Sequence, residues 1–256
     1  MRYVGCAILS LCLACVPARA ERVVRLTSGE WAPYMSQQLP GYGVASRIVS
    51  AAFALRGIKV EYGFFPWPRS LALAKTAEWN GSLIWVRTAE RTRDFDFSDP
   101  VVDLSSVFFH LKTLRFKWTT LDDLAAYRIG VTNGYSYGPG FADAVKAGKL
   151  RVEVVPSDEL NFRKLLKGRI DLFLDNRLAG QALLAKIFTP EEAARIVVGS
   201  DYVGTRPLGL MLNRRLAQNK ELMNEFNAGL KRLRESGELD RILSDTGDKV
   251  SPPTLQ

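Results

Sequence analysis

The group best suited to grip a small anion is Arg91, in the stretch WNGSLIWVRTAERTRDFDFSDP that spans residues 79–100. A guanidinium there can hold a carboxylate through two parallel N–H donors, a geometry that a lysine ammonium does not copy. The residues before it explain its place. An apolar run, 83–86, is entered from Asn80-Gly81 and reads as a short buried strand leaving a turn. Open α/β sheets put ligand-contacting groups at the carboxyl ends of their strands, which is where Arg87 to Arg91 falls. The same charges allow a plainer arrangement, with Arg87, Arg91 and Arg93 pairing with Glu90, Asp94 and Asp96 on a solvated loop, where ion pairs contribute little. Residues 94–97 alternate polar and aromatic, as a strand with one wet face should.

Other candidates also fall at predicted strand ends. Trp31 and Tyr34 stand in the loop 28–34 after a strand at 23–27, where aromatics either pack under the loop or meet a ligand. Trp67 and Arg69 belong to Pro66-Trp67-Pro68-Arg69-Ser70, between a strand at 58–65 and a helix at 70–78 with Pro68 in its first turn. Trp85 closes the run before Arg91. Tyr135 and Ser136 lie in the glycine-rich segment 133–140, just before a helix whose free amides would attract an anion; a turn and cap is the plainer reading. Asp175 and Asn176 end the strand within 168–176, whose Asp171 reads as structural. No carboxylate pair with convincing spacing supports acid–base catalysis. Neither the P-loop lysine nor the dinucleotide glycine spacing is present, so no cofactor is expected. One histidine, His110, and no cysteine beyond Cys6, Cys12 and Cys15 leave no zinc or copper cluster.

The elements that must carry these residues alternate in type. Apolar strands at 23–27, 58–65 and 83–86 interleave with helices at 44–56 and 70–78, and strands at 128–132 and 152–155 with helices after Pro139 and at 158–167. This alternation predicts α/β architecture with a mainly parallel sheet. The long apolar strand 101–111 reads as a crossing to a second unit that begins at Leu121-Asp122-Asp123-Leu124. A strand at 196–198, a return crossing near 202–207 and a strand at 208–212 lead back. The last helix, 219–236, sets Leu222, Phe226, Leu230 and Leu233 on one core-facing stripe.

Composition bounds the rest. Of 256 residues, 47% are hydrophobic, as in a globular protein. Residues 1–20 carry Arg2, an apolar run 3–16 and Ala18-Arg19-Ala20, which predicts a secretory signal cleaved after Ala20. None of the three cysteines there has the pattern that lipidation needs. Cleavage would leave about 236 residues, enough for two domains, and would lower the formal charge from +8 to +6 by removing Arg2 and Arg19. Beyond the signal no apolar run approaches the roughly 20 residues of a membrane span. Basic residues are mixed with acidic ones rather than gathered in a patch, which argues against nucleic-acid binding.

Several motifs together resemble the family 3 solute-binding proteins, the bacterial polar amino-acid receptors: Trp31 to Tyr34, Glu90 to Pro100 with its Phe-x-Phe-Ser-x-Pro, and Gly134 to Gly138. Pro66-Trp67-x-Arg69 is similar to a less characterised branch of that family. The resemblance implies a two-lobed α/β fold of the periplasmic binding type, type II-like, with two crossovers. Residues 21–111 and 206–256 would form lobe 1 and residues 112–205 lobe 2. It implies a periplasmic receptor that closes like a hinge on a small amino-acid-like or carboxylate-bearing solute and serves an ABC-type importer as a monomer. A sensory input to a membrane signalling protein and a dehydratase on the same fold are the alternatives. In that family Arg91 would bind the carboxylate, Trp31 would stack on the ligand, and an acid at Asp175, or a neighbour at Asn176, would meet the ammonium. Two departures leave the solute open: Asn80 replaces an expected aspartate, and Leu83, Ile84 and Trp85 replace hydroxyl residues. The aromatic candidates instead predict a solute with a flat or cationic body and a carboxylate.

Overall fold

The computed structural model describes residues 22–244, and the predicted signal segment and cleavage site lie outside them. The first half of the chain lays down β1 (Arg22–Ser28), α1 (Val44–Ala54), β2 (Ile58–Phe64), α2 (Trp67–Ala74) and β3 (Gly81–Val86), with β2 and β3 parallel to either side of β1. β4 (Phe95–Phe97) follows, then β5 (Val102–Leu111). The second βα series is β6 (Arg128–Thr132), α3 (Pro139–Lys146), β7 (Arg151–Val155), α4 (Asp158–Leu166) and β8 (Leu172–Asn176). After α5 (Arg177–Ile187) and α6 (Pro190–Ala193) come β9 (Ile196–Asn213), α7 (Gln218–Glu235) and α8 (Glu238–Ser244). The strands run in the order β2-β1-β3-β9-β5-β8-β6-β7, with β4 also paired to β9. The fold is the α/β arrangement expected from the alternating pattern.

Buried side chains fall into two groups joined by β5 and β9. One core holds Val24 and Leu26 of β1, Ile48 and Phe53 of α1, Leu210 and Leu212 of β9, and Phe226 and Leu230 of α7. The Phe53 and Phe226 rings lie 5.0 Å apart. The predicted stripe of α7 is buried here in full. The other half has two adjoining clusters, one around Phe108, Ile129 and Leu174, the other around Phe109, Phe162 and Phe173. His110 has the structural setting anticipated for it, buried with Nδ1 3.0 Å from the Leu111 carbonyl oxygen.

The structure corrects the expected elements in three places. α2 starts at Trp67, not at 70, because Pro68 fits the first turn of a helix that Pro66 caps. Residues 196–213 form one 18-residue strand, not two short ones to either side of a crossing. Its pairing with β5 continues through the middle, with register shifts around Val107 absorbing the twist. Val101 and Val102 pack in the first core, Phe108 with Ile129 and Leu174, and Val107 and Phe109 with Phe162 and Phe173. Helices α5, α6 and α8 were not anticipated.

Candidate functional site

At the junction of the two halves, the ends of β1, β3, β6 and β8, the start of α2 and the middle of β5 and β9 enclose a cavity of about 690 Å³. That is a usual size for a small-molecule site. Trp31, Trp67, Trp85, Arg91, Tyr135, Ser136, Asp175 and Asn176 all line it, so eight of the ten candidate positions converge.

Arg91 lines it from the β3 side. The polar segment after β3 turns once as a 3-10 helix, Arg91–Arg93, which swings the guanidinium back over the strand end. Nη1 donates to the Val86 carbonyl at 2.8 Å and Nη2 to the Gly134 carbonyl at 3.1 Å, on the far side of the cavity. The guanidinium carbon lies 4.6 Å from the centre of the Trp85 ring. Burial lowers its pKa, and the nearby Glu90 charge works against that shift. The close ion pairs on this stretch go elsewhere: Asp94 takes Lys75 at 2.7 Å and Asp96 takes Arg214 at 3.0 Å.

The aromatic wall is held rigidly. Trp85 Nε1 donates to Ser82 Oγ at 2.7 Å, and Trp67 meets the Trp85 ring edge to face at 5.1 Å. Trp31 stacks on Tyr34 at 4.5 Å. Its buried Nε1 has no partner among the described residues. Tyr34 itself is 2% exposed, lies in the first core and does not line the cavity, so its part is to back Trp31. Arg69 is also misplaced by the sequence reading. With α2 starting at Trp67, the helix turns Arg69 away from the cavity, exposed, with its guanidinium 5.6 Å from the Phe65 ring centre.

On the opposite side, the Tyr135 hydroxyl donates to Asp158 Oδ2 at 2.9 Å, and Thr132 Oγ1 donates to the other oxygen of that carboxylate. The Tyr137 hydroxyl accepts from the Thr132 amide at 2.8 Å. The Tyr135 amide, expected to be open to a carboxylate, is instead engaged by the Thr132 carbonyl at 3.2 Å. Asp175 is 1% exposed; its Oδ1 accepts from the Asn176 amide at 2.7 Å, and its Oδ2 has no partner among the described residues. Burial pushes the Asp175 carboxyl well above the usual range, and the Asp158 charge adds to the push. Burial raises Asp158 too, against the bonds from Thr132 and Tyr135. Asn176 borders the cavity, but its amide is committed: Oδ1 accepts from Ala179 N at 2.9 Å and Nδ2 donates to the Ser105 carbonyl at 3.1 Å. The unanticipated α5 explains this, since a helix start needs an acceptor for its free amides.

The sequence reading missed Arg206. It lies on β9 where that strand passes from one half to the other, 9% exposed, and lines the cavity. Nη2 donates to Ser106 Oγ on β5 at 3.0 Å. Its only sequence signal is a cation beside Pro207, in a stretch that also holds Ser200, Asp201 and Thr205. Among the described residues no cluster of histidine, cysteine or acidic side chains could hold a metal ion.

Solved structures share this fold. A histidine kinase sensor domain with similarity to periplasmic binding proteins matches with a TM-score of 0.76 at 17% identity, over 91% of this chain and 100% of that one. An ancestral arginine-binding protein bound to arginine matches with a TM-score of 0.71 at 19% identity, over 88% and 98%. The arginine-, lysine-, histidine-binding protein ArtJ from Geobacillus stearothermophilus matches with a TM-score of 0.69 at 20% identity, over 89% and 96%. No curated protein matches the sequence. The bacterial extracellular solute-binding proteins, family 3, match residues 24–246, nearly the whole described chain, and the protein belongs to that family.

Proposed function

We propose that the protein is exported to the periplasm, captures a small carboxylate-bearing solute in this cavity by closing its two lobes, and delivers it to an ABC-type importer in the inner membrane. The observation that carries this reading is the reach of Arg91 from Val86 on one side to Gly134 on the other. A solute carboxylate received by the remaining N–H donors of that guanidinium adds a charged acceptor, roughly twice as strong as a neutral carbonyl. Because the same fork touches both lobes, capture and closure are one event, and the solute favours the closed state by the contacts it makes only there. Of the two groups considered for a solute ammonium, Asp175 retains a free oxygen while both ends of the Asn176 amide are engaged.

A thermal-shift screen of amino acids, polyamines and small carboxylates tests the function, since a ligand at 100 times its Kd adds about 2.7 kcal/mol of stability. Arg91→Lys then weakens binding nearly as much as Arg91→Ala, by roughly 1.5 to 3 kcal/mol, because lysine keeps the charge and loses the fork. Calorimetry supplies the affinities and circular dichroism the check on folding. Wild-type affinity in both variants would remove Arg91 from the site.

A further inference from the structure

Arg206 is a buried cation whose partners do not account for it. Its residue is 9% exposed, one terminal nitrogen reaches Ser106 Oγ at 3.0 Å, and its Nε has no hydrogen-bond partner among the described residues. Nor does a carboxylate among those residues pair with it. Burial pushes the guanidinium down to about 10, still protonated at neutral pH, and the group that acts against this shift is the Tyr137 hydroxyl, itself raised well above the usual phenol range by burial, rather than an acid. A buried charge left without a counterion is costly, so such groups are normally paired. A strut between β5 and β9 would need only the Ser106 bond and no charge. The backbone of Gly138 comes close as well: a Cβ there would stand 3.1 Å from Arg206 Nη1, so a bare glycine leaves the guanidinium room. The cavity-lining acids do not answer the charge either: the Glu90 charge acts on Arg91, and the charge acting on Asp175 is that of Asp158.

We infer that Arg206, oriented by Ser106, is a second anion-holding subsite, and that the solute carries two acidic groups, one received at Arg91 and one at Arg206. The inference rests on the reading of Arg91 given above and names the class of solute: a small di-acid with a body flat enough for the wall formed by Trp31 and Trp67. The two guanidinium groups lie in one cavity of about 690 Å³, so a single small molecule can meet both. Trp85 already has a cation over its ring in Arg91, which removes one of the faces that a cationic body would have needed.

Three pairs of probes that differ by one carboxylate test this: glutarate and pentanoate, L-glutamate and L-norvaline, benzene-1,4-dicarboxylate and benzoate. Calorimetry on the full-length exported protein is expected to find a di-acid binding at least about tenfold tighter than its mono-acid partner, the range of one charge-assisted bond. Arg206→Met keeps most of the buried stem and should bring that ratio close to one. Ser106→Ala, a milder change that leaves the charge in place, should shrink the ratio only in part. Arg91→Ala should weaken both members of a pair. Equal binding of the two members by the wild type, an unchanged ratio in Arg206→Met, or failure of every di-acid to bind would overturn the inference. If Arg206→Met removes the preference while Arg91→Ala changes nothing, the second subsite stands and the reading of Arg91 falls.

Discussion

Asp175 is the residue whose chemistry is most exposed to pH. Its carboxyl is buried with one oxygen unpartnered among the described residues, and burial raises its pKa well above the ordinary value. For an acid with a raised pKa in the folded state, the native protein holds the proton that the unfolded chain gives up. Stability therefore falls as pH rises from the usual carboxylate range toward the raised value. Asp175→Asn removes this dependence, so in the ligand-free protein it should be more stable than the wild type at pH 8 and converge with it near pH 4, about where an ordinary carboxyl titrates. Urea melts across that interval check it, and a variant less stable than the wild type at pH 8 would show the carboxylate to be stabilised by a partner. The residues were unevenly legible in sequence. Arg91 and Trp67 were found because strand-end positions and motif spacing point at them. Tyr34 and Arg69 share those signals, and only packing decides that one backs Trp31 and the other faces solvent. Arg206 carries no motif, and the glycines and Pro207 around it read as a loop rather than as a strand that lines a cavity.

At the scale of elements, the contact between α1 and α7 makes a clear case. Gly229 is buried in α7 where a Cβ would lie 2.0 Å from the Ala52 carbonyl oxygen of α1, a clash with backbone that no side-chain rotation relieves. Alanine is the better helix former by about 1 kcal/mol. Overpacking costs about 1 to 3 kcal/mol and more where backbone must move, so the clash decides the sign. Gly229→Ala should lower Tm by several degrees in calorimetric scans, and an unchanged or higher Tm would mean that the helices can separate freely. Elements with a clean apolar stripe or a strict alternation, such as α7 and β4, were legible in the sequence. α5 was not. It buries only Ala179, Gly180 and Leu184, with a glycine in its middle, so no stripe marks it. The extent of β9 was hidden for a related reason. Pro207 and the glycines at 199, 204 and 209 punctuate it like loops, yet pairing with β5 carries the strand through.

The whole molecule is organised by two strands that serve both halves. The length of β5 made a two-lobed α/β protein legible in the sequence, whereas pairing alone shows that Asp103, Ser105 and Ser106 continue the strand rather than interrupt it. Register shifts fall on β5 between Ser105 and Phe109, the same stretch that carries the cavity-lining Ser106, so bending there would couple directly to the site. Closure on a bound solute should dry the cavity, and tryptophan emission should then move to the blue. The indoles are not equal reporters. Trp85 is already 8% exposed, lying against both Arg91 and Trp67, and has little water left to lose. Trp31 and Trp67 are only partly buried in the open cavity wall. Saturating solute should thus shift the spectrum of the wild type, Trp67→Leu should remove a large part of the shift, and Trp85→Leu should leave most of it. Trp79 and Trp118 lie outside the cavity lining and supply a constant background. An emission spectrum unmoved by a ligand that calorimetry shows to be bound would mean that the lobes do not close over these indoles. A shift carried by Trp85 rather than Trp67 would place the closing surface on the Arg91 side of the wall.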